Sequence, residues 1–213
     1  QPLFNYFEAI CQVPRPSKKE EKIRAHLLQF AEENKLEAHT DKIGNVVIKK
    51  PASKGMEQAP TVILQTHMDM VCEKNSDKEF DFDNDAIEPM IVDGWMKANG
   101  TTLGADCGIG IAAQLAVLTS KELKHGPIEC LITVDEETGL TGAFNLQPGF
   151  LSGSVLLNLD SEDEGELFIG CAGGIDTLAT FDYQQEKTPE NSIALKISVS
   201  GLLGGHSGDD IHK

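Results

Sequence analysis

Three apolar, β-branched runs that each end in a histidine or a carboxylate constrain the fold of this chain more than any other feature. Thr61-Val-Ile-Leu-Gln-Thr66 leads into His67-Met68-Asp69, Ile128-Glu-Cys-Leu-Ile-Thr-Val134 into Asp135-Glu136-Glu137, and Val155-Leu-Leu-Asn-Leu159 into Asp160. Runs of this length and composition read as strands, joined by a fourth at 45–48. A Gly/Ala-rich helix over about 109–119 falls between the strands at 61–66 and 128–134. Such alternation predicts an α/β fold with a largely parallel or mixed sheet. Two amphipathic helices come first. Leu3, Phe4, Phe7, Ile10 and Cys11 recur at helical spacing, and Ser17 with Glu20 reads as a capping box opening a helix through about Glu33, buried through Ile23, Leu27, Phe30 and Ala31. Beyond Gly174 the pattern changes to alternating strands at 176–181 and 192–200, separated by a polar loop that contains Pro189. A domain boundary is therefore expected there, dividing the chain into 1–173 and 174–213.

Charge and cysteine usage narrow the partners. With 34 Asp+Glu against 18 Lys+Arg the formal charge is −16, which repels phosphate backbones, and no basic cluster offers a local exception, so nucleic acid is not an expected partner. No apolar run approaches the roughly 18 residues needed to span a bilayer, so none is expected to insert in a membrane. Five scattered cysteines without CxxC spacing argue against a disulfide framework and a thiolate zinc site, and favour a reducing, cytoplasmic location. The chain starts at Gln1 and its last stretch, 201–213, stops just after a Gly-rich turn without completing an element. It reads as a fragment.

The acid-rich stretch 73–88 invites a calcium reading that its spacing refuses. Counting from Asp81, the positions that an EF-hand fills with Gly and a final acid hold Ala86 and Val92. Alternation of Asp81 and Asp83 with Phe80 and Phe82 instead predicts an extended segment, acids in water and rings inward. A serine nucleophile is disfavoured as well, because G-x-S-x-G around Gly205-His-Ser-Gly208 would need Gly where Asp209 stands.

The strand ends carry the chemistry. In open α/β sheets ligands bind beyond the carboxyl ends of the strands, so parallel neighbours would bring His67, Asp69, Glu136, Glu137 and Asp160 together. Asp106, in Gly104-Ala-Asp-Cys-Gly108 just before a helix, is placed to face the same crevice. Crowded acids either take up protons or bind cations. His with Asp and Glu, and no Cys partner, is the ligand set of catalytic zinc or a similar first-row metal. Asp106 is the candidate for bridging two ions about 3.5–4 Å apart. In His67-x-Asp69 the carboxylate can accept from the imidazole N–H that does not face the metal, fixing the tautomer. Of Glu136 and Glu137, one would ligate while the other carries a proton from water to a leaving amine. Taken singly, a His-x-Asp, an adjacent Glu pair or a strand-end Asp is ordinarily structural. Cys107 reads as a small packed residue.

With His67-Met-Asp69, Thr101-Thr-Leu-Gly-Ala-Asp-Cys-Gly-Ile-Gly110, Asp135-Glu-Glu-Thr-Gly139, Asn158-Leu-Asp-Ser-Glu162, Gly170-Cys-Ala-Gly-Gly174 and Gly204-Gly-His-Ser-Gly208 in view, the chain resembles the M20 metallopeptidases. Within them it looks most like the aminoacyl-histidine dipeptidase branch, departing from the pattern at Cys107, where Asn is expected. The resemblance implies a zinc-peptidase-like catalytic domain, a central mixed sheet flanked by helices, with an inserted α+β lid that begins near 174. It implies two Zn²⁺, with Co²⁺ or Mn²⁺ as substitutes: His67 and Asp160 on one ion, Glu137 on the other, Asp106 between them. It further implies that Glu136 is general base and acid, that Asp69 orients His67, and that His206, on the lid, stabilises the developing oxyanion. The implied substrates are unblocked dipeptides, Xaa-His among them, and a homodimer is a candidate assembly. The family's remaining histidine ligand has no counterpart here, and His212 is a poor replacement. The 213 residues alone are therefore expected to bind metal weakly or at one site and to hydrolyse little. Another M20 activity, N-acyl amino acid deacylase or carboxypeptidase, and a non-enzymatic metal-binding interaction protein remain as alternatives.

Overall fold

The computed structural model describes residues 2–161, 165–170, 175, 177–202 and 212. The chain divides into two units, Gln1–Gly165 and Glu166–Lys213. In the first unit, helices α1 (Pro2–Cys11) and α2 (Glu21–Glu33) precede strands β1 (Glu37–Thr40), β2 (Val46–Lys50) and β3 (Val62–His67). A hairpin of β4 (Pro89–Val92) and β5 (Trp95–Ala98) follows, then α3 (Ala105–Thr119), β6 (Ile128–Thr133), the short α4 (Thr141–Phe144) and β7 (Val155–Asn158).

Five strands form one mixed sheet in the order β1-β2-β6-β3-β7. Strand β3 lies parallel to both neighbours, β6 and β7, while β2 runs antiparallel to β6 and to β1. The three runs that end in His or acid are thus adjacent and co-directional, with their carboxyl ends on one edge. Pairing continues past the strands proper, since Met68 N–H donates to the Thr133 carbonyl at 2.8 Å and Leu159 N–H to the Gln65 carbonyl at 2.9 Å.

Period-two side-chain alternation builds the core. Val46, Ile48, Cys130 and Ile132 share one buried cluster with Phe7 and Ile10 of α1, Ile23 and Leu27 of α2, and Ile111 and Leu115 of α3. Each such Leu or Ile contributes about 1.5–3 kcal/mol relative to exposure. Helix α3, whose Gly/Ala-rich periodicity left its environment open, is therefore a core helix. Buried Gln114 fastens it to the sheet: its amide N–H groups donate to the carbonyls of Leu64 (2.8 Å) and Leu131 (3.1 Å), and its oxygen accepts from the Thr66 hydroxyl at 3.0 Å.

Several local expectations need correction. Ser17 and Glu20 do not form a capping box. Glu20 is itself the residue before α2 and makes no side-chain cap. Its carboxylate accepts from Lys18 N–H (2.8 Å) and from Asp135 N–H (3.0 Å), and the Ser17 hydroxyl donates to Asp69 at 2.7 Å. Residues 82–84 turn rather than extend: Asp81 accepts from Asp83 N–H at 3.0 Å and from the Asn84 amide at 2.8 Å, because a local Asx cap satisfies this backbone without a partner strand. The rings do point inward, with Phe80 and Phe82 packed on the core and against each other edge to face, centroids 4.8 Å apart. Residues 177–181 and 192–200 form no strand, since a strand requires a paired neighbour and none is present among the described residues.

Candidate metal centre

His67 is the last residue of β3 and only 1% exposed. Its Nε2 faces Asp106 at 2.8 Å and Asp160 at 3.7 Å. Its Nδ1 lies 3.1 Å from the Asp69 carbonyl and 3.3 Å from the Asp69 carboxylate. Asp69, two residues on and past a bend at Met68, lies beside the His67 ring, so the pairing that the His-x-Asp spacing predicts forms although the strand has ended. With Nδ1 donating to Asp69, Nε2 is the ring nitrogen that faces the other two acids and would be the one to bind a metal among them.

Asp106 comes from the other side of the crossover. Gly104 adopts φ 70°, the left-handed region that favours glycine, and Asp106 and Cys107 have non-helical backbone before the regular turns of α3 begin. The bond between these two residues is cis. Asp106 stands half exposed at the crevice, while Cys107 is buried. One atom each from His67, Asp106, Cys107 and Asp160 lie within 4.8 Å of one another, and the same holds for His67, Glu136 and Glu137. Two donor groups thus meet at one imidazole. Burial pushes the Cys107 thiol up to about 12, with Asp160 and Asp106 adding to the effect, which suits a packed thiol and leaves oxygen and imidazole as the donors.

Asp69 does more than its spacing suggested. Wholly buried, its carboxylate accepts from Glu136 N–H at 3.0 Å, Glu137 N–H at 3.2 Å and the Ser17 hydroxyl at 2.7 Å, besides facing His67. One carboxylate therefore orients the imidazole and pins the turn that carries both glutamates. Asp135 supports that turn: its φ is 49°, its carboxylate accepts from the hydroxyls of Thr138 and Thr141, and its N–H goes to Glu20. Ser17 and Glu20 are thus site-building residues that the sequence disguised as a helix cap. Their only sequence signal was polarity close to the start of α2.

Electrostatics agree with a cation-binding crevice. Burial alone would pull the His67 imidazole down, yet the hydrogen bonds it donates to Asp106 and Asp69, reinforced by the charge of Asp160, push it up to about 10. Burial pushes Glu137 up to about 7, with Asp106 adding to the effect, and Glu136 also rises. Asp160 is raised to about 6 by burial and by crowding from Asp106, while Asp106 is held below the usual carboxylate range by the His67 hydrogen bond. Burial would raise Asp69 too, but His67, Glu136 N–H and Ser17 hold it down at about 2. Carboxylates this crowded favour any positive charge placed among them, and an all-O/N donor set around one imidazole fits a divalent first-row metal.

The structure brings together six of the seven residues singled out from the sequence: His67, Asp69, Asp106, Glu136, Glu137 and Asp160. His206 lies outside the described residues, and His212 is exposed.

Similarity to known proteins can now be set beside this geometry. Residues 63–196 match the family model for peptidase family M20/M25/M40. The chain is 47% identical over 212 residues to the cytosol non-specific dipeptidase of Escherichia coli strain K12, an alignment covering all of this chain and 44% of that protein. In three dimensions it matches the aminoacylhistidine dipeptidase of Vibrio alginolyticus with TM-score 0.76 and 54% identity, over 77% of this chain and 34% of that one. It also matches aminopeptidase PepT of Bacillus cereus with TM-score 0.64 and 30% identity, over 76% of this chain and 43% of that one. The chain spans less than half the length of each of these relatives. The family model matches more than half of the chain, and the chain belongs to peptidase family M20/M25/M40.

Proposed function

We propose that this chain carries most of the metal-binding half of a dipeptidase that hydrolyses unblocked dipeptides, Xaa-His included, in the cytoplasm. The observation that carries the reading is the meeting of His67, Asp106, Asp160, Glu136 and Glu137 on the carboxyl edge of three parallel strands. The choice of dipeptides over other M20 substrates rests on similarity to two proteins named as dipeptidases.

His67 and Asp160 would hold one Zn²⁺, Glu137 the other, and Asp106 both. When bound, such a pair supplies Lewis-acid polarisation of the scissile carbonyl and a more acidic water. Glu136 takes the proton from the attacking water and returns it to the amide nitrogen as the C–N bond breaks, so the amine leaves neutral. Its half-buried carboxyl, raised above the usual range, suits both transfers. Asp69 keeps the Nδ1 proton of His67 in place and fixes the backbone of Glu136. His206 is assigned as the donor to the developing oxyanion.

The test is Glu136→Gln in the complete gene product. Expected is a fall in kcat of about 10²–10⁴ with zinc stoichiometry unchanged. Turnover that survives this substitution, or survives thorough chelation, would refute the mechanism. A panel of Xaa-His dipeptides, N-acyl amino acids and longer peptides decides the substrate class, and preference for N-acyl amino acids would overturn the dipeptide assignment.

A further inference from the structure

Arg15 is 2% exposed, yet no carboxylate forms an ion pair with it among the described residues. Its guanidinium spends its donors on backbone instead. Nη1 donates to the carbonyls of Met68 (3.1 Å) and Asp69 (2.9 Å), and Nη2 donates to the carbonyl of Gly104. The first two acceptors immediately follow His67, and the third lies two residues before Asp106. The Arg15 backbone joins the same clamp, since its carbonyl accepts from Met70 N–H at 3.2 Å. Glycines make room for it: a Cβ at Gly108 would sit 2.7 Å from Nη2, and one at Gly104 would collide with the same atom. Burying an unpaired guanidinium is costly, and a cost borne beside a site is explained when the group holds that site together.

We propose that Arg15 is a positioning residue for metal binding, its planar fork tying the His67 loop to the Asp106 loop so that both ligands reach one ion together. His67 and Asp106 come from segments 39 positions apart, and among the described side chains Arg15 donates to the backbone of both loops. Lysine cannot replace it, because a single ammonium lacks the rigid fork that reaches acceptors on two loops. The inference rests on the metal-centre reading above.

The experiment measures Zn²⁺ affinity, by competition with a chromophoric chelator, on the complete gene product and its Arg15→Lys, Arg15→Met and Gly108→Ala variants. Leu118→Ala, at the far end of α3, serves as a stability-matched control, and circular dichroism confirms folding. Expected is a rise in the zinc dissociation constant of about 10–100-fold for Arg15→Met and Arg15→Lys alike, a smaller rise for Gly108→Ala, and none for Leu118→Ala. Wild-type affinity in a folded Arg15→Lys protein overturns the proposal. If neither Arg15 variant folds, Gly108→Ala decides, because it crowds the fork while keeping the charge, and wild-type affinity there overturns it equally. An equal loss of affinity in Leu118→Ala reduces Arg15 to general stability and also overturns it. Absence of zinc binding in the unsubstituted protein brings down the metal-centre reading itself, whereas binding retained in every variant removes Arg15 alone.

Discussion

The chain has two acid-rich regions, and they behave in opposite ways. Around β3, β6 and β7, carboxylates are buried or half-buried and face an imidazole, backbone N–H groups and hydroxyls from distant segments. In residues 73–88, seven acids against two lysines are mostly exposed; they cap their own turn, and Asp83 pairs with the solvent-exposed Lys19 at 2.5 Å. Acidity alone therefore says little about a site. What matters is whether the fold removes the carboxylates from water and crowds them, so that their charge needs an answer.

That contrast can be broken by substitution. The largest effect is expected at the buried centre. Asp69→Ala strips the partner from buried His67 and leaves Glu136 N–H, Glu137 N–H and the Ser17 hydroxyl without their acceptor. A loss of about 3–5 kcal/mol is expected, read by urea denaturation, together with loss of zinc binding. A change below 1 kcal/mol would mean that the buried cluster is no more committed than the surface one.

Glu129 sharpens the comparison away from the ligands. It is buried on central strand β6, where Ser152 N–H (2.9 Å), the Ser152 hydroxyl (2.8 Å) and Gly153 N–H (3.0 Å) donate to its carboxylate. Burial alone would raise its pKa, but these donors hold it below the usual carboxylate range. A depressed folded-state pKa contributes stability that is present above the unfolded value, about 4.3, and lost as pH falls through the folded value. Glu129→Gln should therefore cost about 1–3 kcal/mol near pH 7, and the difference from wild type should shrink steadily below about pH 4. A pH-independent difference would show that the charge is irrelevant.

The smallest effect belongs to the surface. Asp83→Asn removes the exposed pair with Lys19, and both melting temperature and zinc affinity should stay within error of wild type. A measurable loss of metal in that variant would join two regions that are here kept apart.

How much was legible follows the same line. The strands that line the crevice announce themselves as short apolar, β-branched runs, although burial is complete only along β6, partial along β3 and absent along β7, and their functional ends announce themselves because His or acid after such a run is out of place. Strand β1, Glu37-Ala-His-Thr40, was invisible, being a short polar edge strand with three exposed residues. The β4–β5 hairpin went unread although Asp93-Gly94, with φ of 52° and 81°, is a hairpin signal set between apolar residues. Ser17 and Glu20 were misread because polar residues before a helix look alike whether they cap it or reach across to another loop. Arg15 carried no signal at all, since nothing local distinguishes a buried arginine from a solvated one.

Local pattern by itself settled the α/β class and the existence of three main helices, and it singled out the candidate ligands, because side-chain period and apolar run length are properties of neighbouring residues. The order β1-β2-β6-β3-β7, the parallel setting of β3 between β6 and β7, and the fork of Arg15 across two loops were decided only by the tertiary structure. These depend on which distant segments lie side by side, and a side chain's chemistry here is set less by its neighbours along the chain than by the charges and donors that packing brings within a few ångströms of it.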